Sequence, residues 1–210
     1  ETLVWDLPGT GRSGAPPDSC DVGRLVGDFE AVLADHGVAS AHVVGAGLGG
    51  MVALEHARRY DRVDSLALFG TAADGDAVDA DALDSLFAPR EDPATLRASL
   101  GNAFGADIDA YPDVVADIVD WRAEEDADRA GFEAQAAAMT GYRGDPLYEV
   151  AVPARVFHGV DDAVVPTSAG RELAADLPRG EFLAVEGGHL CFVEESAAVN
   201  DALVGFFDEE

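Results

Sequence analysis

The chain has 210 residues, and 41 Asp plus Glu face 13 basic residues, for a formal net charge of −28. Such a surface repels phosphate and so argues against nucleic acid and anionic membranes as partners. Hydrophobic residues make up 48% of the sequence, so the chain can bury a sizeable core and is not a disordered acidic tail.

Every basic residue is Arg and none is Lys, and the acids are spread along the chain. Self-repulsion of this size destabilises a compact state unless dense salt screens it. We expect a halophile-type surface suited to a salt-rich cytoplasm. Cys20 and Cys191 make no disulfide framework, which fits a reducing cytoplasm. No apolar run approaches the roughly 20 residues of a membrane helix, and no signal peptide is visible. The sequence opens at Glu1 without an initiator Met.

Strand and helix signals then alternate. Leu3 to Asp6 reads as a short strand, followed by a Gly/Pro-rich loop from Leu7 to Pro17. Asp18 to Gly37 reads as a helix, with Val22, Leu25, Val26, Phe29, Val32 and Leu33 at helix spacing and Gly37 at the C-cap. His42 to Val44 is a strand, Leu48 to Tyr60 a helix, and Val63 to Phe69 a strand. From about Thr71 to Val150 no strand is convincing. Helices are expected there at Asp79 to Phe87, Pro93 to Leu100, Pro112 to Glu125 and Arg129 to Met139. Alternation resumes with a strand at Ala154 to His158, a helix at Thr167 to Leu177, a strand at Glu181 to Val185 and a helix at Val193 to Phe207. This order predicts an α/β fold, a mainly parallel sheet flanked by helices. It divides the chain into an N-terminal core part (1–70), a helical insertion (71–150) and a C-terminal core part (151–210).

The cluster Gly45-Ala46-Gly47-Leu48-Gly49-Gly50 joins a strand directly to a helix. Gly45, Gly47 and Gly50 match the dinucleotide fingerprint G-x-G-x-x-G, which would make this an FAD- or NAD-binding turn. That reading needs an acid at the end of the next strand, and Leu68-Phe69-Gly70 supplies none. The same residues match a nucleophile elbow, G-x-S-x-G, with Gly45 and Gly49 as flanks and Gly47 where serine belongs. Glycine adopts the strained elbow conformation without cost but carries no nucleophile.

Three further loops favour the elbow. Asp6-Leu7-Pro8-Gly9-Thr10-Gly11-Arg12-Ser13 resembles the D-x-x-G-x-G-x-S loop of α/β-hydrolases. The stretch from His158 to Pro166 resembles the loop that carries their triad acid, and Gly187-Gly188-His189-Leu190 the loop with their triad histidine. The order of elbow, acid and histidine is the hydrolase order. The chain therefore resembles the α/β-hydrolase fold family over essentially its whole length, with esterases and enol-lactonases as the nearest sub-families.

The resemblance implies a carboxylic-ester or lactone hydrolase with a helical cap over residues 71–150. It implies Asp162 as the acid (Asp161 as the fallback), His189 as the base, and the Leu48 amide as an oxyanion donor. It implies no cofactor, and no metal site has ligand spacing. The ligand is expected to be a small apolar or ester-like molecule. Because Gly47 replaces the nucleophile, the enzyme is expected to be impaired or inactive. A non-catalytic small-ligand-binding module on the same fold is the alternative. The first strands of the family fold and its H-G oxyanion loop have no counterpart here, so the fold is expected to be N-terminally truncated. Either a preceding segment completes the sheet, or the Leu3 strand pairs with the His42 strand. Cys191 is weighed as a displaced nucleophile and read as a small buried residue. Ser13, His36, His42, His56 and His158 are read as structural or surface groups. Phe87, Phe104, Tyr111, Trp121 and Phe132 are read mostly as core of the helical insertion.

Overall fold

The computed structural model describes residues 2–15 and 20–209. Four parallel strands form one sheet in the order β1-β2-β3-β4: β1 (Ala41–Ala46), β2 (Val63–Phe69), β3 (Ala154–Gly159) and β4 (Gly180–Val185). The α/β expectation holds, with helices on both sheet faces. Val43 lies opposite Leu66, Phe69 opposite Ala46 and Phe157, and Gly159 opposite Val185.

The period of two along β2 divides the core. Leu66 and Leu68 point to the side of α2 (Leu48–Arg59) and α7 (Thr167–Asp176), where they meet Leu54, Val156, Leu173 and Leu177. Ala67 and Phe69 point the other way, to Phe157, Val185, Cys191 and Val199. Leu66, Leu68 and Phe157 are fully buried, and each such side chain contributes about 2 kcal/mol. Helix α2 is enclosed on all sides: every residue from Gly50 to His56 is buried. Its two polar members are partnered. Glu55 binds Arg58 and Arg59, and His56 Nε2 lies 3.0 Å from Glu30.

Helix α1 (Val22–Asp35) starts at Val22, the first of its apolar-spaced residues, and not at Asp18. The side chain of Asp21 caps it by accepting the amide of Arg24 at 2.8 Å. The earlier part of the expected helix, around Asp18, lies outside the described residues. Gly37 follows the helix with φ 66°, as its C-cap position required.

Two expected elements need correction. Leu3 to Asp6 is not a strand and pairs with nothing in the sheet. Instead Trp5 stacks on Phe29 of α1 at 5.8 Å. Asp6 turns back on its own loop, its carboxylate accepting the amide of Arg12 and its carbonyl the hydroxyl of Ser13. A four-residue apolar run has no strand character without a ladder partner, and here the aromatic–helix contact takes its place. A cavity of about 900 Å³ lies between this stretch and the outer edge of β1, lined by Leu3, Val4, Val43, Val44 and Val52. The second correction is at the C-terminal end. The helix expected from Val193 to Phe207 is two helices, α8 (Cys191–Glu194) and α9 (Ser196–Glu209), broken at Glu195. At the end of α8 the carboxylate of Glu194 binds backbone amides.

Between β2 and β3 the described chain is helical: α3 (Ala80–Asp84), α4 (Pro93–Leu100), α5 (Pro112–Glu125) and α6 (Arg129–Thr140). Its two stems are tied together. Gly75 donates to the carbonyl of Tyr142 at 3.0 Å, and Gly144 to that of Ala73 at 2.9 Å. A Cβ on Gly75 would lie 2.3 Å from the Thr140 carbonyl, so only glycine allows this approach. Leu100, Ala103, Phe104 and Val115 form a small core within the segment. Trp121 does not join a core and is 60% exposed. No helix among the described residues is long and apolar enough to cross a membrane.

Candidate active site

The loops that follow the C-terminal ends of the four strands converge, which is where open α/β sheets place their sites. The β1–α2 turn brings Gly47, the β3–α7 loop brings Asp162, and the loop after β4 brings His189.

Gly47 has φ 49° and ψ −119°, and no non-glycine among the described residues has positive φ. The turn is held at both ends of the residue. Its amide donates to the carbonyl of Phe69 at 2.9 Å, and its carbonyl accepts the hydroxyl of Thr71 at 2.8 Å. A Cβ on Gly45 would lie 2.5 Å from the Gly49 carbonyl, and one on Gly50 would lie 2.7 Å from the side chain of Thr71. These glycines are thus required by the packing of strand against helix. The Leu48 amide belongs to the first turn of α2 and has no intrahelical acceptor, so it is free to donate toward the site.

Asp162 is buried, whereas its neighbour Asp161 is exposed, which separates the two candidates. Asp162 Oδ1 accepts the amides of Val164 and Val165 at 2.9 and 3.0 Å. His189 Nδ1 lies 2.9 Å from Asp162 Oδ2 and 3.1 Å from Oδ1. Burial alone would raise the carboxyl's pKa. Hydrogen bonding from His158 and His189 outweighs burial and holds it down at about 2, so it is ionised at neutral pH. A carboxylate on Nδ1 fixes that nitrogen as the protonated one and leaves Nε2 with its lone pair. Nε2 has no hydrogen-bond partner among the described residues, and it faces Gly47. A Cβ placed on Gly47 would lie 3.5 Å from Nε2 and 3.8 Å from the Met139 methyl. Gly70, with φ 47°, forms the floor beneath the pair. A Cβ there would lie 3.0 Å from both Asp162 Oδ2 and His189 Nδ1.

Two residues of the site carry no chemistry-bearing motif. His158, read as a strand-end residue, is fully buried. Its Nε2 lies 2.8 Å from the Val165 carbonyl and 3.4 Å from Asp162 Oδ2, while Nδ1 has no partner. It is therefore an Nε2–H imidazole that braces the acid loop from behind. A Cβ on Gly170 would lie 2.1 Å from its Nδ1. A glycine inside a helix costs about 1 kcal/mol, so Gly170 was the available sign that something packs closely on α7. Glu194 accepts the amides of Gly105, Ala106 and Gly188 at 2.7 to 3.2 Å. It ties the histidine loop to the helical segment. Nothing in the spacing around Glu194 marks it.

The remaining candidates stay outside the constellation. Cys191 is fully buried, and burial pushes its thiol pKa up to about 12, so it is no nucleophile. Ser13 closes its own loop. Among the described residues no group of three or more His, Cys, Asp or Glu is placed to hold a metal ion.

Comparison with known proteins fits this geometry. A sequence model described as the alpha/beta hydrolase family matches residues 1–202. The chain belongs to the alpha/beta hydrolase family. It is similar to a hydrolase from Pseudomonas aeruginosa PA01, with a TM-score of 0.81 and 27% identity over 95% of this chain and 77% of that one. It is equally similar in fold to the enol-lactonase from Burkholderia xenovorans LB400, with a TM-score of 0.81 and 26% identity over 96% and 78%. Among sequence relatives, an acetyltransferase component of the acetoin cleaving system of Pseudomonas putida is 28% identical, the match spanning 97% of this chain but only 55% of that protein. A Variovorax paradoxus protein named for carbamate hydrolysis is 30% identical over 97% of this chain and 80% of its own length.

Proposed function

We propose that this chain is a carboxylic-ester or lactone hydrolase whose covalent step is disabled at Gly47. One observation carries the reading: His189 Nε2, oriented by Asp162, points at the place where a side chain on residue 47 would begin, and glycine puts none there. In an intact triad the base takes the proton of a hydroxyl at that place, and the acid stabilises the imidazolium that forms. The Leu48 amide, at the positive end of α2, is suited to the carbonyl oxygen as it gains charge. The Met139 methyl, from the helical segment, lies 3.8 Å from the same point and gives it one apolar neighbour, which is compatible with a small apolar ester or lactone. The two free cysteines fit a reducing cytoplasm.

An aryl alkylphosphonate tests the assignment by intact mass. A positioned hydroxyl attacks phosphorus, expels the phenoxide and stays covalently labelled. The Gly47→Ser protein is expected to gain one phosphonyl group, the unsubstituted protein none. A folded Gly47→Ser protein that resists the reagent would contradict the elbow assignment.

A further inference from the structure

The vacancy left by glycine has a definite shape. A serine side chain would place a carbon there, bonded to Cα, whereas a free molecule must stay at van der Waals distance from that Cα and so sits nearer the imidazole. The carbon position has His189 Nε2 at 3.5 Å and the Met139 methyl at 3.8 Å as its nearest neighbours. The oxygen of a free water or alcohol on the Gly47 side of the ring can sit within hydrogen-bond range of Nε2, about 2.8 Å. Nε2 is an acceptor there, because Nδ1 carries the proton held by Asp162 at 2.9 Å. The site thus offers one basic nitrogen with one apolar methyl beside it.

We propose that the space beside Gly47 is an acceptor subsite for water or a one-carbon alcohol, through which the site transfers an acyl group directly with no acyl-enzyme. The proposal rests on reading Asp162 and His189 as a general-base pair. The acceptor's O–H proton passes to Nε2 while its oxygen bonds to the acyl carbon, and the carbonyl electron pair moves onto the oxygen facing the Leu48 amide. Collapse breaks the ester C–O bond, and the leaving oxygen takes the proton back from Nε2. Water gives the acid and methanol gives the methyl ester, with the same alcohol or phenol released in both cases. No redox partner is needed.

The test follows phenyl acetate and para-nitrophenyl acetate in molar KCl, with methanol as the probe, and measures methyl acetate and acetate. The unsubstituted protein is expected to form both products faster than buffer, with His189→Ala removing about 10²-fold of that rate, the usual share of a general base. The ratio of methyl acetate to acetate should differ between the two esters, because the acceptor meets each intact ester. In the Gly47→Ser protein the ratio should be the same for both, because a common acetyl-enzyme partitions. The proposal is overturned if the unsubstituted protein adds nothing to the buffer rate while Gly47→Ser is active, or if its ratio is the same for both esters. An inactive and unlabelled Gly47→Ser protein would overturn the parent reading as well, which is a distinguishable result.

Discussion

The Gly47→Ser protein is expected to hydrolyse a short-chain aryl ester at least about 10³-fold faster than the unsubstituted protein in kcat/KM. In a serine protease with an intact Ser-His-Asp triad, removing the serine costs about 10⁶-fold in kcat. The gain here is set lower because the only oxyanion donor assigned is the Leu48 amide, and one lost donor costs about 10²- to 10³-fold. The machinery the hydroxyl needs is in place: Nε2 lies 3.5 Å from the new Cβ, and Asp162 is ionised. The substitution also has a cost. Serine at φ 49° and ψ −119° is strained by about 1–3 kcal/mol, so the active variant should melt below the unsubstituted protein. The Thr71 and Phe69 hydrogen bonds hold the turn in that conformation. Ester hydrolysis and thermal melts, both in molar KCl, check the pair of expectations.

The second large effect is on folding. The surface of 10185 Å² carries a net charge of −28, which is about 360 Å² per net charge and a mean spacing of ~19 Å. The screening length is about 30 Å at 0.01 M salt and about 3 Å at 1 M. In dilute buffer each net charge therefore feels its neighbours, and in molar salt it does not. The ion pairs do not offset this: 13 arginines face 41 acids, and several pairs, such as Arg129 with Glu133 and Arg143 with Asp76, are exposed and contribute little. The protein is expected to be folded in molar KCl and to lose its circular dichroism signal near 0.01 M. Equal melting temperatures in the two buffers would show that repulsion is not the controlling term.

The site was legible in the sequence where backbone geometry dictates residue type. Gly45 is needed because strand and helix backbone touch, and Gly187 because the histidine loop turns at φ 111°, whereas Gly49, the other expected flank, has open space where a Cβ would go, and the close contact, with the Thr71 side chain, falls at Gly50. Those glycines fixed the positions of Gly47 and His189 and the reading of the fold. β2 was legible to the residue because it is apolar on both faces between two turns. What was not legible depends on contacts across the chain. Leu3 to Asp6 has strand composition, yet Trp5 found Phe29 and not a ladder. The helix break at Glu195 goes with contacts of Glu194 to the amides of Gly105, Ala106 and Gly188, which lie outside its own helix. His158 looks like any strand-end residue until the fold places Asp162 and Gly170 against it.

The central claim is that Gly47, Asp162 and His189 form one hydrolytic unit that lacks its nucleophilic hydroxyl. The most direct test compares kcat/KM of Gly47→Ser with that of Gly47→Ser/His189→Ala on the same aryl ester in molar KCl, with folding verified. The account predicts that the double variant loses nearly all of the gain, because triad members act as a unit and their effects are not additive. A double variant that keeps the activity of Gly47→Ser would show that the hydroxyl works without His189, and the site described here would not be the catalytic one.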